Sequence, residues 1–144
     1  MKLDTIFELW EQDSKLDKTD LGGEALRISE LHHKYYKIYS NERLVLKKYE
    51  SELKELRLQK QEFYLMGPTE ETHAKGWSLP AVGKVLRSDL SSYIDADKDI
   101  ISSTLKIGLQ NEKIDLIESI LKTLHGRNFN IRAYIDWEKF KVGQ

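Results

Sequence analysis

From Ala25 to Tyr64 the chain runs through forty residues without a proline or a glycine, and that stretch excludes most folds. A segment so long with no turn-forming residue cannot be divided into the short strands of a sandwich or barrel. As one continuous helix it would extend about 60 Å at 1.5 Å per residue. Its apolar pattern agrees. Ile28, His32, Tyr35, Tyr39, Glu42, Leu46, Tyr49, Leu53, Leu56, Lys60 and Phe63 trace a heptad seam, all apolar or aromatic except His32, Glu42 and Lys60, with Ile38 and Val45 beside it. That period implies packing along one side. The three polar positions favour a partner helix of the same chain over a regular zipper.

The remaining segments fit around this helix. Leu3, Ile6, Phe7 and Trp10 share one face of a short amphipathic helix, with Asp4 as a cap, and Gly22-Gly23 delays the long helix that follows. Met66-Gly67-Pro68 ends it, and Gly67, Pro68, Gly76 and Pro80 make the stretch to Gly83 an exposed loop. Lys84 to Ile94 is expected to be a short helix burying Val85, Leu86, Leu90 and Ile94. Asp97 then caps a second long helix from Lys98 to His125. One face of that helix carries Ile100, Ile107, Ile114, Ile117, Leu121 and Leu124, and a neighbouring face carries Ile101, Leu105, Leu109, Leu116 and Ile120. So broad an apolar surface calls for packing on two sides. Gly126 is the expected left-handed stop, and Asn130 the cap of a last helix from Ile131 to Val142 that carries Tyr134, Ile135, Trp137 and Phe140. The expected fold is all-α, with long amphipathic helices in two lobes: residues 1–66 and 84–144, joined by the loop 67–83.

Catalytic and metal-site signatures are missing from the sequence. It has no glycine-rich phosphate loop, no nucleophile elbow and no cysteine, so no thiolate metal site. His32 and His33 point about 100° apart on a helix and cannot share an ion; His32 reads as a half-buried seam residue. Asp95, Asp97 and Asp99 imitate the start of a calcium loop, but Ile100 stands where glycine is required and Lys106 where glutamate is required. No cofactor and no metal are expected, and the chain reads as a binding protein rather than an enzyme. No apolar run approaches the ~20 residues of a membrane span. The missing cysteines suit a reducing cytoplasm.

Charged residues make up 33% of the chain but the net charge is only −1, so any attraction to nucleic acid must be local. Between Lys34 and Tyr64 lie eight basic and five acidic residues. Arg43, Lys47, Lys54 and Arg57 fall within an arc of about 80° beside the seam. Lys60, Phe63 and Tyr64 follow. Cations along a helix can pair with successive phosphates, and exposed rings can stack on unpaired bases. The alternative is a solvated face on which Glu50 pairs with Lys47 or Lys54, with Phe63 in the core.

The segments Ile94-Asp95-Ala96-Asp97-Lys98-Asp99-Ile100, Arg127-Asn128-Phe129-Asn130-Ile131 and Phe140-Lys141-Val142-Gly143, with the basic stretch that ends in Phe63-Tyr64, resemble the UvsY family, the recombination mediators of T-even-like phages. The likeness runs from Leu31 to Gly143. It implies a homo-oligomeric ring, a hexamer or heptamer, assembled through the C-terminal helices, for which Ile107, Ile114, Ile117, Leu121, Leu124, Tyr134 and Phe140 are the candidate contacts. It also implies that the protein binds single-stranded DNA and helps load a RecA-like recombinase onto strands coated by single-strand binding protein, in the cytoplasm of a bacterial host. The family's DNA motif has two basic residues before its aromatic pair. Lys60 falls on one of these positions and Leu58 on the other, with Arg57 adjacent. The candidate DNA contacts are therefore Arg43, Lys47, Lys54, Arg57, Lys60 and Tyr64. The competing reading is a helical scaffold that binds only protein partners.

Overall fold

The computed structural model describes residues 1–143 and contains six helices, with no strand among those residues: α1 (Leu3–Asp13), α2 (Leu21–Met66), α3 (Glu70–Ala74), α4 (Leu90–Asp95), α5 (Lys98–His125) and α6 (Arg127–Lys141). The long helix is longer than its proline- and glycine-free core. Gly22 and Gly23 lie inside its first turn rather than ahead of it, because the Asp20 carboxylate accepts the Gly23 N–H at 3.1 Å and caps the helix end. A Cβ at position 23 would displace that carboxylate from the place it takes here. At the other end Gly67 adopts φ +95° and its N–H donates to the Phe63 carbonyl, the stop that the Gly-Pro pair implied.

Packing divides the chain into two compact units that do not follow chain order. Residues 1–45 join with the chain from Gln110 on, while residues 46–109 form the other unit. The expected division at the 67–83 loop is therefore not the one that packing makes, since α2 and α5 each contribute to both units.

In the first unit Ile6, Leu31, Tyr35, Ile117, Ile120 and Leu124 make the core, flanked by Leu9, Trp10, Ile38, Tyr39, Leu116 and Leu121. The Trp10 ring meets Tyr35 edge-on at 5.5 Å. The Tyr35 hydroxyl donates to Asp13, which also pairs with Lys34 at 2.6 Å. Arg27 and Arg127 reach from α2 and α6 to the carbonyls of Asp13, Lys15 and Ser14, holding the chain as it leaves α1. Glu42, a polar seam position, is buried. The Gln110 amide donates to both its carboxylate and its main-chain carbonyl at 2.7 Å, and Lys113 stands 4.0 Å away.

In the second unit Phe63, Tyr64, Val85, Ile94 and Ile100 form the core, with Leu53, Leu56, Trp77, Leu79, Leu90 and Tyr93 around it. The 67–89 stretch is more ordered at its start and less helical at its end than expected. Thr69 and Thr72 form a reciprocal capping box that starts the one-turn α3. The expected helix from Lys84 begins only at Leu90, and Leu86 is exposed. The competing interaction is a main-chain hydrogen bond from Val85 N–H to the Tyr64 carbonyl, 2.9 Å, which ties this segment to the end of α2.

Two further expectations change. His32 is exposed rather than half-buried, its ring stacked on Tyr36. Gly126 has φ −85°, not a left-handed conformation, so α6 starts at Arg127 and Asn130 lies in its first turn instead of capping it.

Candidate nucleic-acid interface

The DNA-contact candidates separate into two groups. Arg43, Lys47 and Lys54 project from α2 into solvent, and among the described residues none has a carboxylate within ion-pair distance. Glu50 takes neither Lys47 nor Lys54; the ion pairs of this stretch run instead from Glu52 to Lys48 and Lys106, each at 4.0 Å. Arg43 lies in the first unit, its guanidinium 5.3 Å from the centre of the Tyr39 ring. Arg57 is partly exposed and pairs loosely with the exposed Asp95 at 3.5 Å.

Lys60 and Tyr64 belong to the second group, and their positions differ from the expected open contacts. The Lys60 side chain is 4% exposed, its ammonium 3.1 Å from Asp97, 2.8 Å from Asp99 and 3.8 Å from the centre of the Trp77 ring. The Tyr64 hydroxyl donates to the same Asp97 oxygen at 2.7 Å, and the other Asp97 oxygen accepts the N–H groups of Asp99 and Ile100. Asp97 thus caps α5 and anchors the end of α2 at once. Burial pushes the Tyr64 phenol upward, and the Asp97 carboxylate raises it further, well above its usual range. For Asp97 burial acts in the opposite sense to its partners. Hydrogen bonds from Tyr64, the Ile100 N–H and Lys60 prevail and hold the carboxyl below its ordinary value.

The sign of that shift gives a prediction. A carboxyl depressed in the folded state contributes stability above its unfolded pKa, about 3.9, and loses it as pH falls through the folded value. Asp13 and Glu42 are lowered too. The urea midpoint is therefore expected to be flat from pH 7 to 5 and to fall steeply below about pH 4. A midpoint unchanged at pH 3 would mean that these carboxylates are not stabilised by folding.

Beside this node, Lys60, Tyr64, Lys75, Trp77, Lys98 and Asp99 line much of an open polar cleft of about 430 Å³. Trp77 and Lys75 lie in the stretch expected to be an exposed loop, and neither was a candidate contact. A tryptophan in a polar loop was the available signal, since so large an apolar ring seeks shelter. Here Phe63 meets it edge-on at 5.6 Å, and Lys75 stands 5.0 Å from its centre. No cluster of residues suited to a metal ion occurs among the described residues.

A family model described as "Recombination, repair and ssDNA binding protein UvsY" matches residues 9–144. The chain belongs to the UvsY family. The match extends upstream of Leu31, where the visible likeness began. Among solved structures, crystal forms of the bacteriophage T4 recombination mediator protein UvsY have the same fold. One gives a TM-score of 0.79 at 22% identity over 99% of both chains. A second gives 0.78 at 18% identity over 98% of this chain and 99% of that one. A third gives 0.78 at 19% identity over 95% and 98%. No curated protein matches by sequence.

Of the two positions expected from the resemblance to carry the basic motif, one holds the buried Lys60 and the other the exposed Leu58, so neither presents an open cation. The residues implied for UvsY assembly also divide. Ile114, Ile117 and Leu124 are buried in the first unit, Leu121 packs on that core, and Ile107 and Tyr134 are half-buried, whereas Phe140 is exposed. Phe140 stacks on Trp137 at 5.6 Å, and Phe129 is exposed on the same helix.

Proposed function

We propose that this protein is a recombination mediator that binds single-stranded DNA and helps load a RecA-like recombinase onto strands coated by single-strand binding protein. Membership of the UvsY family over residues 9–144 carries this reading. The free cations Arg43, Lys47 and Lys54 supply the chemistry, with Arg57 available once it releases Asp95. Lys60 and Tyr64 act from beneath, holding the end of α2 on which Lys54 and Arg57 stand. The proposed assembly is a homo-oligomeric ring, which repeats a modest cationic stripe so that one strand meets many weak contacts. Its interface uses the exposed α6 rings Phe129, Trp137 and Phe140 more readily than the isoleucines already buried in the core.

Binding of a poly-dT oligonucleotide at several salt concentrations tests this reading. The Lys47→Gln, Lys54→Gln double variant is expected to bind more weakly. Its plot of log affinity against log salt should be shallower by about 0.7 for each phosphate no longer neutralised. An unchanged slope would place the DNA contacts elsewhere. The exposed row Ile101, Leu105 and Leu109 on α5 favours the competing reading, a scaffold that binds only proteins. Absence of oligonucleotide binding at low salt would decide for the scaffold.

A further inference from the structure

A second feature of α2, wholly within the first unit, precedes the cationic stripe on the same helix face and shares Arg43 with it. From Leu31 to Asn41 there is no acidic residue, while two histidines, two lysines and three tyrosines are present. His32, Tyr36, Tyr39 and Arg43 fall within about 60° of arc on the helix. Their side chains form a continuous ladder. The His32 and Tyr36 rings lie 5.9 Å apart and nearly parallel, at 15°. Tyr36 and Tyr39 lie 5.9 Å apart, and the Arg43 guanidinium closes the series over Tyr39.

His32 and Tyr36 lie outside the core, whereas Tyr39 packs on its flank. Tyr36 is 51% exposed, in contrast to its neighbour Tyr35, which is fully buried. Tyr39 is held in place by its hydroxyl, which donates to Glu118 at 2.7 Å. At the His32 end lies a cleft of about 360 Å³, lined by Ile28 and Leu124 together with Ser29, His125 and Asn128. Apolar surface with polar groups around it suits a nucleobase, whose faces are apolar and whose edges hydrogen-bond.

We propose that the His32–Tyr36–Tyr39 ladder, ended by Arg43, is a base-stacking track for unpaired nucleic acid, distinct from the phosphate contacts at Lys47 and Lys54. This rests on the proposed function and adds the chemistry that the cations lack. Phosphate contacts alone do not distinguish an unstacked strand from a duplex, whereas fixed, exposed rings take bases only when these are free. Charge complementarity favours nucleic acid as the occupant. Arg43 stands over Tyr39, Glu42 is buried against Gln110, the Glu118 carboxylate is occupied by the Tyr39 hydroxyl, and Glu30 lies on the opposite side of the helix.

Tyr36→Ala and Tyr36→Phe, each compared with the unaltered protein, are measured for binding to oligo-dT and to an abasic oligomer of equal length. Removing the ring is expected to weaken oligo-dT binding at least about fivefold, the lower end of what loss of one base–ring stack produces. Abasic binding and the salt slope should not change, and phenylalanine should retain affinity. Equal loss on both oligomers, or as large a loss with phenylalanine as with alanine, would overturn the stacking role. Unchanged oligo-dT affinity alongside weaker binding to a RecA-like recombinase would also overturn it, and would make the ladder a protein-docking face. If the unaltered protein binds neither oligomer, the proposed function itself falls.

Discussion

Asp97→Ala is expected to destabilise the 46–109 unit by about 3–5 kcal/mol, the range for breaking one side of a buried ion pair. The carboxylate is 8% exposed and accepts from Lys60, Tyr64 and two main-chain N–H groups of α5. Its removal leaves Lys60 with only the half-exposed Asp99, orphans a buried hydroxyl and deletes a helix cap, itself worth about 1 kcal/mol. Urea unfolding with hydrogen exchange to locate the weakened segment would measure it. The Asp97→Leu, Lys60→Met double variant should cost much less than the sum of the two single changes, because apolar replacement of both partners leaves no unpaired charge. Additive effects would mean that Lys60 and Asp97 do not act together. The same experiment separates two roles for Lys60. If Lys60→Met lowers affinity for single strands in proportion to the drop in folding stability, the lysine is structural; weaker binding with intact stability would make it a DNA contact.

Ile117→Ala is expected to cost about 2–5 kcal/mol in the other unit, as for aliphatic side chains cut from a closed core. Ile117 is fully buried among Ile6, Leu31, Tyr35 and Leu124. Trp137→Ser with Phe140→Ser should instead leave stability within about 0.5 kcal/mol per site, since both rings are exposed. The mass in solution should fall if α6 joins copies of the chain. The contrast distinguishes a core residue from an interface residue, which apolar periodicity alone treats alike. A smaller assembly from Ile117→Ala without loss of stability would return the interface to α5.

These outcomes turn on how far each feature could be read before any packing was known. The extent of α5, the stop at Gly67 and the capping role of Asp97 are local matters. They follow from dihedral preferences and from hydrogen bonds that span three or four residues, so neighbouring side chains suffice to determine them. The capacity of Arg43, Lys47 and Lys54 to share a face was equally local, as it follows from 100° per residue.

What periodicity could not say is which side of a helix meets a partner. His32 and Lys60 occupied equivalent positions in one heptad seam, yet His32 is exposed and Lys60 is buried. The difference comes from Asp97 and Asp99, more than thirty residues away, which supply the charge that makes burying an ammonium tolerable. Gly22 and Gly23 looked like a break, until the Asp20 cap offset their cost. An all-helical chain, the run of its long helices and the local supply of cations and rings follow from residue order alone. Which cations remain free, and which are spent inside, follows only from packing. Burial of a charge depends on a partner brought close by the fold, and chain order does not record that distance.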